Sequence, residues 1–122
     1  MRTGTGGGFF TVWLIAGAVL TVGSAAAARP LMFWNLTAAT ITHLYLAPAG
    51  TTNWTQDECL NDPDKSVDPD ERLRLNGVTP GRYDVRLTDA HGRTCQLRNV
   101  KLQSDRPYAL AISEDQMKRC GN

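Results

Sequence analysis

Only two histidines and three cysteines occur in this chain, and no serine stands in a G-x-S-x-G frame. Those shortages remove the commonest routes to acid–base and nucleophilic chemistry. No two of Cys59, Cys95 and Cys120 are close enough in sequence to form a CxxC pair, which argues against thioredoxin-like redox chemistry and against a zinc finger. An excess of charge is lacking as well. Of the 13 basic residues one is Arg2, so from Arg29 onward twelve basic residues face 12 acidic ones. A near-neutral domain lacks the basic surface that nucleic-acid binding uses to neutralise phosphates. Beyond residue 28 no stretch sustains apolar residues at helical spacing, so a helical domain is not expected.

What is present begins with a leader-like segment. MRTGTGGG carries the amino terminus and Arg2, FFTVWLIAGAVLTV (Phe9 to Val22) has no charge, and GSAAAA holds small residues only. That order is the order of a secretory signal peptide. We expect residues 1–28 to be such a signal, cut after Ala26 or Ala28. The alternative is an uncleaved anchor, because the uncharged run extends from Thr3 to Ala28. The junction lacks the cysteine of a lipoprotein anchor, and Arg2 stands alone, so the leader is not a twin-arginine signal. Residues 29–122, about 94 in number, are enough for a single domain with one modest core. The expected place is the periplasm or the extracellular space, where disulfides persist.

The rest of the chain reads as short strands, six to seven in number, separated by Gly, Pro, Asn and Asp, the pattern of an all-β sandwich or barrel. Strands are expected at 31–36, 40–47, 72–75, 82–88, 94–102 and 108–112. In GRYDVRLTDAHGRTCQLRNV, pairing Asp89 with Arg93 across Ala90, His91 and Gly92 sets Leu87 opposite Cys95, Val85 opposite Leu97 and Tyr83 opposite Asn99. The outward face then pairs Arg86 with Gln96 and Asp84 with Arg98. A one-residue slip would mix Thr94, Gln96 and Arg98 into the apolar face. The alternation slips after Leu97, so a bulge is expected near Arg98 and Asn99. In TITHLYLAP both faces carry bulk, with Thr42, Leu44 and Leu46 on one side and Ile41, His43 and Tyr45 on the other, which predicts a central strand. In the loop that follows, Thr55 and Glu58 have capping-box spacing for a helical turn at 56–60, and Trp54 and Leu60 are expected to plug one end of the domain. Ser113 and Gln116 repeat the capping-box pattern near the C-terminus.

ITHLYLAPAGTTNWTQDECL, followed by PGRYDVRLTDAHGRTCQLRNVKL, resembles a group of small exported bacterial domains with the pattern I-x-x-L-Y-h-x-P, a loop Trp, and P-G-x-Y-D-h-R-h-x-D-x-x-G. The resemblance runs from about Asn35 to Tyr108. It implies an immunoglobulin-like β-sandwich, periplasmic or secreted, with no catalytic residue in the shared motifs. Many such domains carry a cysteine just before the Tyr-Asp pair. Arg82 stands there in this chain, so no disulfide carries over from the group.

Between Asp57 and Glu71 lie seven carboxylates and one Lys65. Asp62, Asp64, Asp68 and Asp70 are candidates for a weak calcium site, since calcium takes several oxygen ligands from a flexible loop. EF-hand spacing fails, because the sixth position from Asp62 is Val67 and the twelfth is Leu73. A solvated turn-rich loop explains the same composition, and no cofactor is expected. Of the cysteines, Cys59 with Cys120 is the expected disulfide, closing a stretch of about 60 residues, with Cys95 a small inward hydrophobe. Cys95 with Cys120 is the alternative. Asn35-Leu36-Thr37 and Asn53-Trp54-Thr55 match the glycosylation acceptor pattern. From Arg72 to Arg106 eight basic residues stand against three acidic ones. Either the acidic loop folds back and neutralises them or they attract an acidic partner. The expected function is a non-catalytic exported module that binds another envelope protein; a structural or stress-protective envelope domain is the alternative, and a weak calcium-binding domain or a small enzyme using His43 or His91 ranks behind both.

Overall fold

The computed structural model describes Gly17 and residues 30–120. Apart from that glycine, the expected signal segment 1–28 lies outside the described residues. All six expected strands form: β1 (Met32–Leu36), β2 (Ile41–Pro48), β3 (Arg72–Arg74), β4 (Gly81–Asp89), β5 (Thr94–Leu102) and β6 (Leu110–Ser113). One helix, α1 (Glu114–Cys120), follows the last strand. The structure is mostly β, built as two three-stranded sheets ordered β3-β1-β6 and β2-β4-β5. β1 runs antiparallel to β3 and parallel to β6, whereas the second sheet is antiparallel throughout. Both sheets turn one face to a shared core that includes Phe33, Ile41, Leu44, Leu87, Leu102 and Ile112. Period-two burial is the reason: each of these side chains occupies the inward position of its strand.

The β4–β5 hairpin has the expected register. Leu87 faces Cys95, Val85 faces Leu97 and Arg86 faces Gln96. The Asp89 amide donates to the Arg93 carbonyl at 3.0 Å, and Gly92 supplies the positive φ of 79° that closes the three-residue loop. The expected bulge falls where the alternation slips, with Asn99 in the left-handed region at φ 56°. It moves Tyr83 opposite Val100 instead of Asn99. Asp84 does meet Arg98, at 3.8 Å, but it is not the solvated surface residue expected of the outward face. Its carboxylate is buried and accepts the Asn99 amide at 2.9 Å and the Gly50 amide at 3.1 Å. Those amides, with help from Arg98, hold its pKa below the ordinary carboxylate value.

β2 is an edge strand, which corrects the expectation of a central one. A bulge at Thr42 turns Ile41 inward beside Leu44 and Leu46, and leaves His43 and Tyr45 on the outer face. Bulk on both faces reflects a different cause: the long loop pairs with this edge in place of a strand. Asp57 Oδ1 accepts the Leu44 amide, Thr55 Oγ1 accepts the Leu46 amide, and the Thr55 amide donates back to the Leu46 carbonyl at 2.7 Å. Ile41 and Val67 exchange both backbone hydrogen bonds at 2.9 Å. An edge that would otherwise invite aggregation is thereby closed.

The loop's helical turn is a short 3-10 segment at Glu58–Asn61. It is capped by Asp57, which accepts the Cys59 amide, and not by Thr55, whose hydroxyl is committed to β2. At the C-terminus the capping box forms as read. The Ser113 amide donates to Gln116 Oε1 at 2.9 Å, and the Gln116 amide donates to Ser113 Oγ at 3.2 Å.

The disulfide joins Cys95 to Cys120, not Cys59 to Cys120, and corrects the preferred pairing. The reason is the path of the tail. β6 pairs with β1, and α1 then runs back over β5, bringing the two Cα atoms to 4.8 Å, well inside bridging range. Cys59 stays a free thiol, fully buried beneath β2. Its Sγ lies 3.7 Å from the Ile41 carbonyl. Burial first, then the neighbouring Asp57 charge, push its pKa up to about 12, so it remains protonated at neutral pH.

Glu58 is buried, and Asn61 Nδ2 donates to its Oε2 at 2.7 Å. Among the described residues its Oε1 finds no hydrogen-bond partner. Burial raises its pKa above the ordinary value near 4.5, so the folded chain holds this proton more tightly than the unfolded one. The resulting stability is complete below the ordinary value and is lost as pH rises through the raised one. Glu58→Gln removes the buried charge at nearly constant shape. We expect it to stabilise the fold by on the order of 1 kcal/mol at pH 8 and by little at pH 4. Urea unfolding of both proteins at the two pH values measures this; an equal difference at both pH values would refute it.

Candidate functional site

Outward positions on β2 and β4 alternate with the core positions, and cross-strand pairing sets Tyr45 beside Arg86. The Arg86 guanidinium carbon lies 5.4 Å from the centroid of the Tyr45 ring and 4.5 Å from that of Trp54. His43 extends the row, its ring stacked on Tyr45 at 6.4 Å and 11°. Trp54 is therefore not a plug over one end of the domain, as expected, but a platform laid on the sheet's outer face. Leu60, the other half of that expected plug, is 56% exposed. Trp54 takes its position because Thr55, the next residue, is hydrogen-bonded to the β2 edge. Arg86 is exposed, and its guanidinium has no hydrogen bond or ion pair among the described residues. The guanidinium lies over the two rings, and its N–H groups are left for an external acceptor.

His43 Nδ1 stands 2.7 Å from Asp57 Oδ2, the contact that orients a catalytic imidazole in hydrolases. Here Asp57 also accepts the Leu44 and Cys59 amides, so it is a structural cap of the β2 edge. The His43 side chain is 54% exposed on the open face. No serine, threonine or cysteine is hydrogen-bonded to it among the described residues. His91 sits at the hairpin tip, in a broad depression of about 800 Å³ lined also by Arg93, Met117, Lys118 and Cys120.

That depression borders an ion-pair staple. Arg93 donates to Asp89 Oδ2 at 2.7 Å and through both terminal nitrogens to Glu114 at 2.9 Å. Burial acts to raise the Asp89 pKa, but hydrogen bonds from Arg93 and the His91 amide outweigh it and hold the carboxyl low. The Arg93 fork, then the Ala38 amide, hold Glu114 at about 2, while the Arg93 pKa is raised in return. The staple ties the hairpin tip to the start of α1.

The four calcium candidates do not converge. Asp62 Oδ1 accepts the Asp64 amide, Asp68 accepts the Thr40 hydroxyl, and Asp70 accepts Trp34 Nε1 at 3.0 Å. Among the described residues no three His, Cys, Asp or Glu side chains gather in a metal-holding group. The acidic loop also fails to cover the basic strands: none of its carboxylates forms an ion pair with a basic residue of the 72–106 segment among the described residues. Its side chains are spent on turns and on the β2 edge. The row Trp54, Arg86, Tyr45 and His43 had no signal in local sequence, because its members come from two strands and a loop. No helix among the described residues is long and apolar enough to cross a membrane. Compared with known proteins, the chain matches no family model, no curated protein and no solved structure.

Proposed function

We propose that the protein is an exported, non-catalytic, immunoglobulin-like β-sandwich module that binds another protein of the cell envelope through the outer face of the β2-β4-β5 sheet. The sandwich reading is supported by a chain that passes back and forth between two sheets around one core. Export is supported by the order of residues 1–28 and by a cysteine pair at bonding distance, which an oxidising compartment maintains. The observation that carries the binding reading is the prearranged row of Trp54, Arg86 and Tyr45 on an exposed face. Trp, Tyr and Arg are the residues in which interface energy concentrates, and rings already stacked lose little freedom on association.

Pull-down from the native envelope tests this. The wild-type chain is expected to retain a stoichiometric partner, and Trp54→Ala and Tyr45→Ala to weaken retention at least tenfold while urea unfolding stays cooperative. A partner retained equally by both variants would overturn the assignment of the face. Absence of any stoichiometric partner would favour a structural envelope role.

A further inference from the structure

We propose that Arg86 is an anion anchor that takes a carboxylate from an acidic segment of the partner protein. This rests on the binding function argued above and assigns its chemistry. Three observations carry it. The guanidinium lies over the Trp54 ring at 4.5 Å and the Tyr45 ring at 5.4 Å, contacts that restrict the side chain, so less freedom is lost when an acceptor arrives. The donors of Arg86 have no acceptor among the described residues, whereas Arg93 is engaged through Nε and both terminal nitrogens. A second positive group stands on the neighbouring strand: the Arg98 side chain is 71% exposed, and the pair it makes with the Asp84 carboxylate is a loose one at 3.8 Å.

A planar guanidinium matches a carboxylate through two parallel hydrogen bonds, which an ammonium cannot reproduce. A lipid surface or polyphosphate fits less well. Such surfaces are bound by clusters of many cations, and the exported chain is balanced at twelve basic and 12 acidic residues. Gln96, directly across from Arg86, adds a neutral donor and acceptor suited to the backbone or side chain of a peptide.

The test uses the exported chain with its disulfide intact and octaglutamate as the probe, followed by NMR of the arginine Nε–H signals at low salt. Octaglutamate is expected to shift the Arg86 signal, with octaglutamine inert. Arg86→Lys should weaken octaglutamate binding at least tenfold, and Arg98→Gln less than threefold. Equal binding by Arg86→Lys would overturn the proposal, because charge alone would then suffice. Tighter engagement of Arg86 by phosphatidylglycerol vesicles or inorganic phosphate than by octaglutamate would overturn it in favour of a phosphate site. If Arg86 proves dispensable for octaglutamate while Tyr45 and Trp54 remain essential for partner capture, the anchor fails and the interaction face stands. If partner capture ignores all three residues, both fail.

Discussion

Replacing Cys95 and Cys120 by alanine is expected to lower the stability of the fold by about 3 to 4 kcal/mol, as the entropy of a closed stretch of this length implies. The two cysteines are separated by 25 residues, and that stretch contains all of β6 and nearly all of β5 and α1. A domain of this size carries roughly 5 to 10 kcal/mol in total, so the urea midpoint should fall by a large fraction, on the order of 2 M. Helix α1 is the element most dependent on the bridge. Seven residues do not form a stable helix alone. Its other attachments include the buried Met117, the Arg93–Glu114 fork and the Ala38 amide on Glu114. Amide exchange should therefore rise first across Glu114–Cys120 and only later across β4. Cys59→Ala supplies the contrast. That thiol is buried but unbridged, so its loss should cost about 1 kcal/mol or less and leave the disulfide intact. Non-reducing peptide mapping decides between them: a peptide joining Cys59 to Cys120, or a Cys59→Ala protein with two free thiols, would refute the connectivity.

Period-two patterning made the strands and the hairpin register legible, because it reports which side of a strand meets the core. It does not report which neighbour lies alongside. For that reason β2 read as central, since the Asp57 and Thr55 side chains that close its edge belong to a loop with no periodicity. The same limit applies to the disulfide. Cys95 was placed inward correctly, but its partner depended on β6 returning parallel to β1 and delivering α1 against β5, a long-range event with no local cue. Asp84 illustrates a third kind of limit. Its strand position is outward, yet the Pro48–Gly50 turn and the Asn99 bulge bend over it and convert a surface charge into a buried acceptor. The candidate face combines these effects. Arg86 and Tyr45 are outward by alternation, while Trp54 reaches them only because its neighbour Thr55 is fastened to the β2 edge.

Asn35→Ala is expected to cost about 3 kcal/mol, although Asn35 belongs to a tripeptide that reads as a surface glycosylation acceptor. In the fold this residue is fully buried, and its side chain satisfies four hydrogen bonds. Nδ2 donates to the Ala39 carbonyl at 2.9 Å and to the Val67 carbonyl at 2.8 Å, while Oδ1 accepts the Thr37 amide and hydroxyl at 2.9 and 2.7 Å. The consequence reaches across the core. Asn35 lies on β1 of one sheet, and Val67 is bridged to Ile41 of β2 in the other, so the amide clamps the two sheets through the long loop. Alanine leaves the Thr37 amide without an acceptor and opens a cavity. Aspartate should be worse at pH 7, because an oxygen would replace Nδ2 and bring a buried negative charge against two carbonyl oxygens. Lowering the pH to 4 lets that oxygen carry a proton and donate one bond, so Asn35→Asp should recover relative to Asn35→Ala as the pH falls. Asn53→Gln, at the exposed second acceptor tripeptide, should change stability by less than about 0.5 kcal/mol. Urea unfolding of the four proteins at both pH values tests the set. An Asn35→Ala protein within about 0.5 kcal/mol of wild type, or an Asn35→Asp protein as stable as Asn35→Ala at pH 7, would show that the clamp between the sheets lies elsewhere.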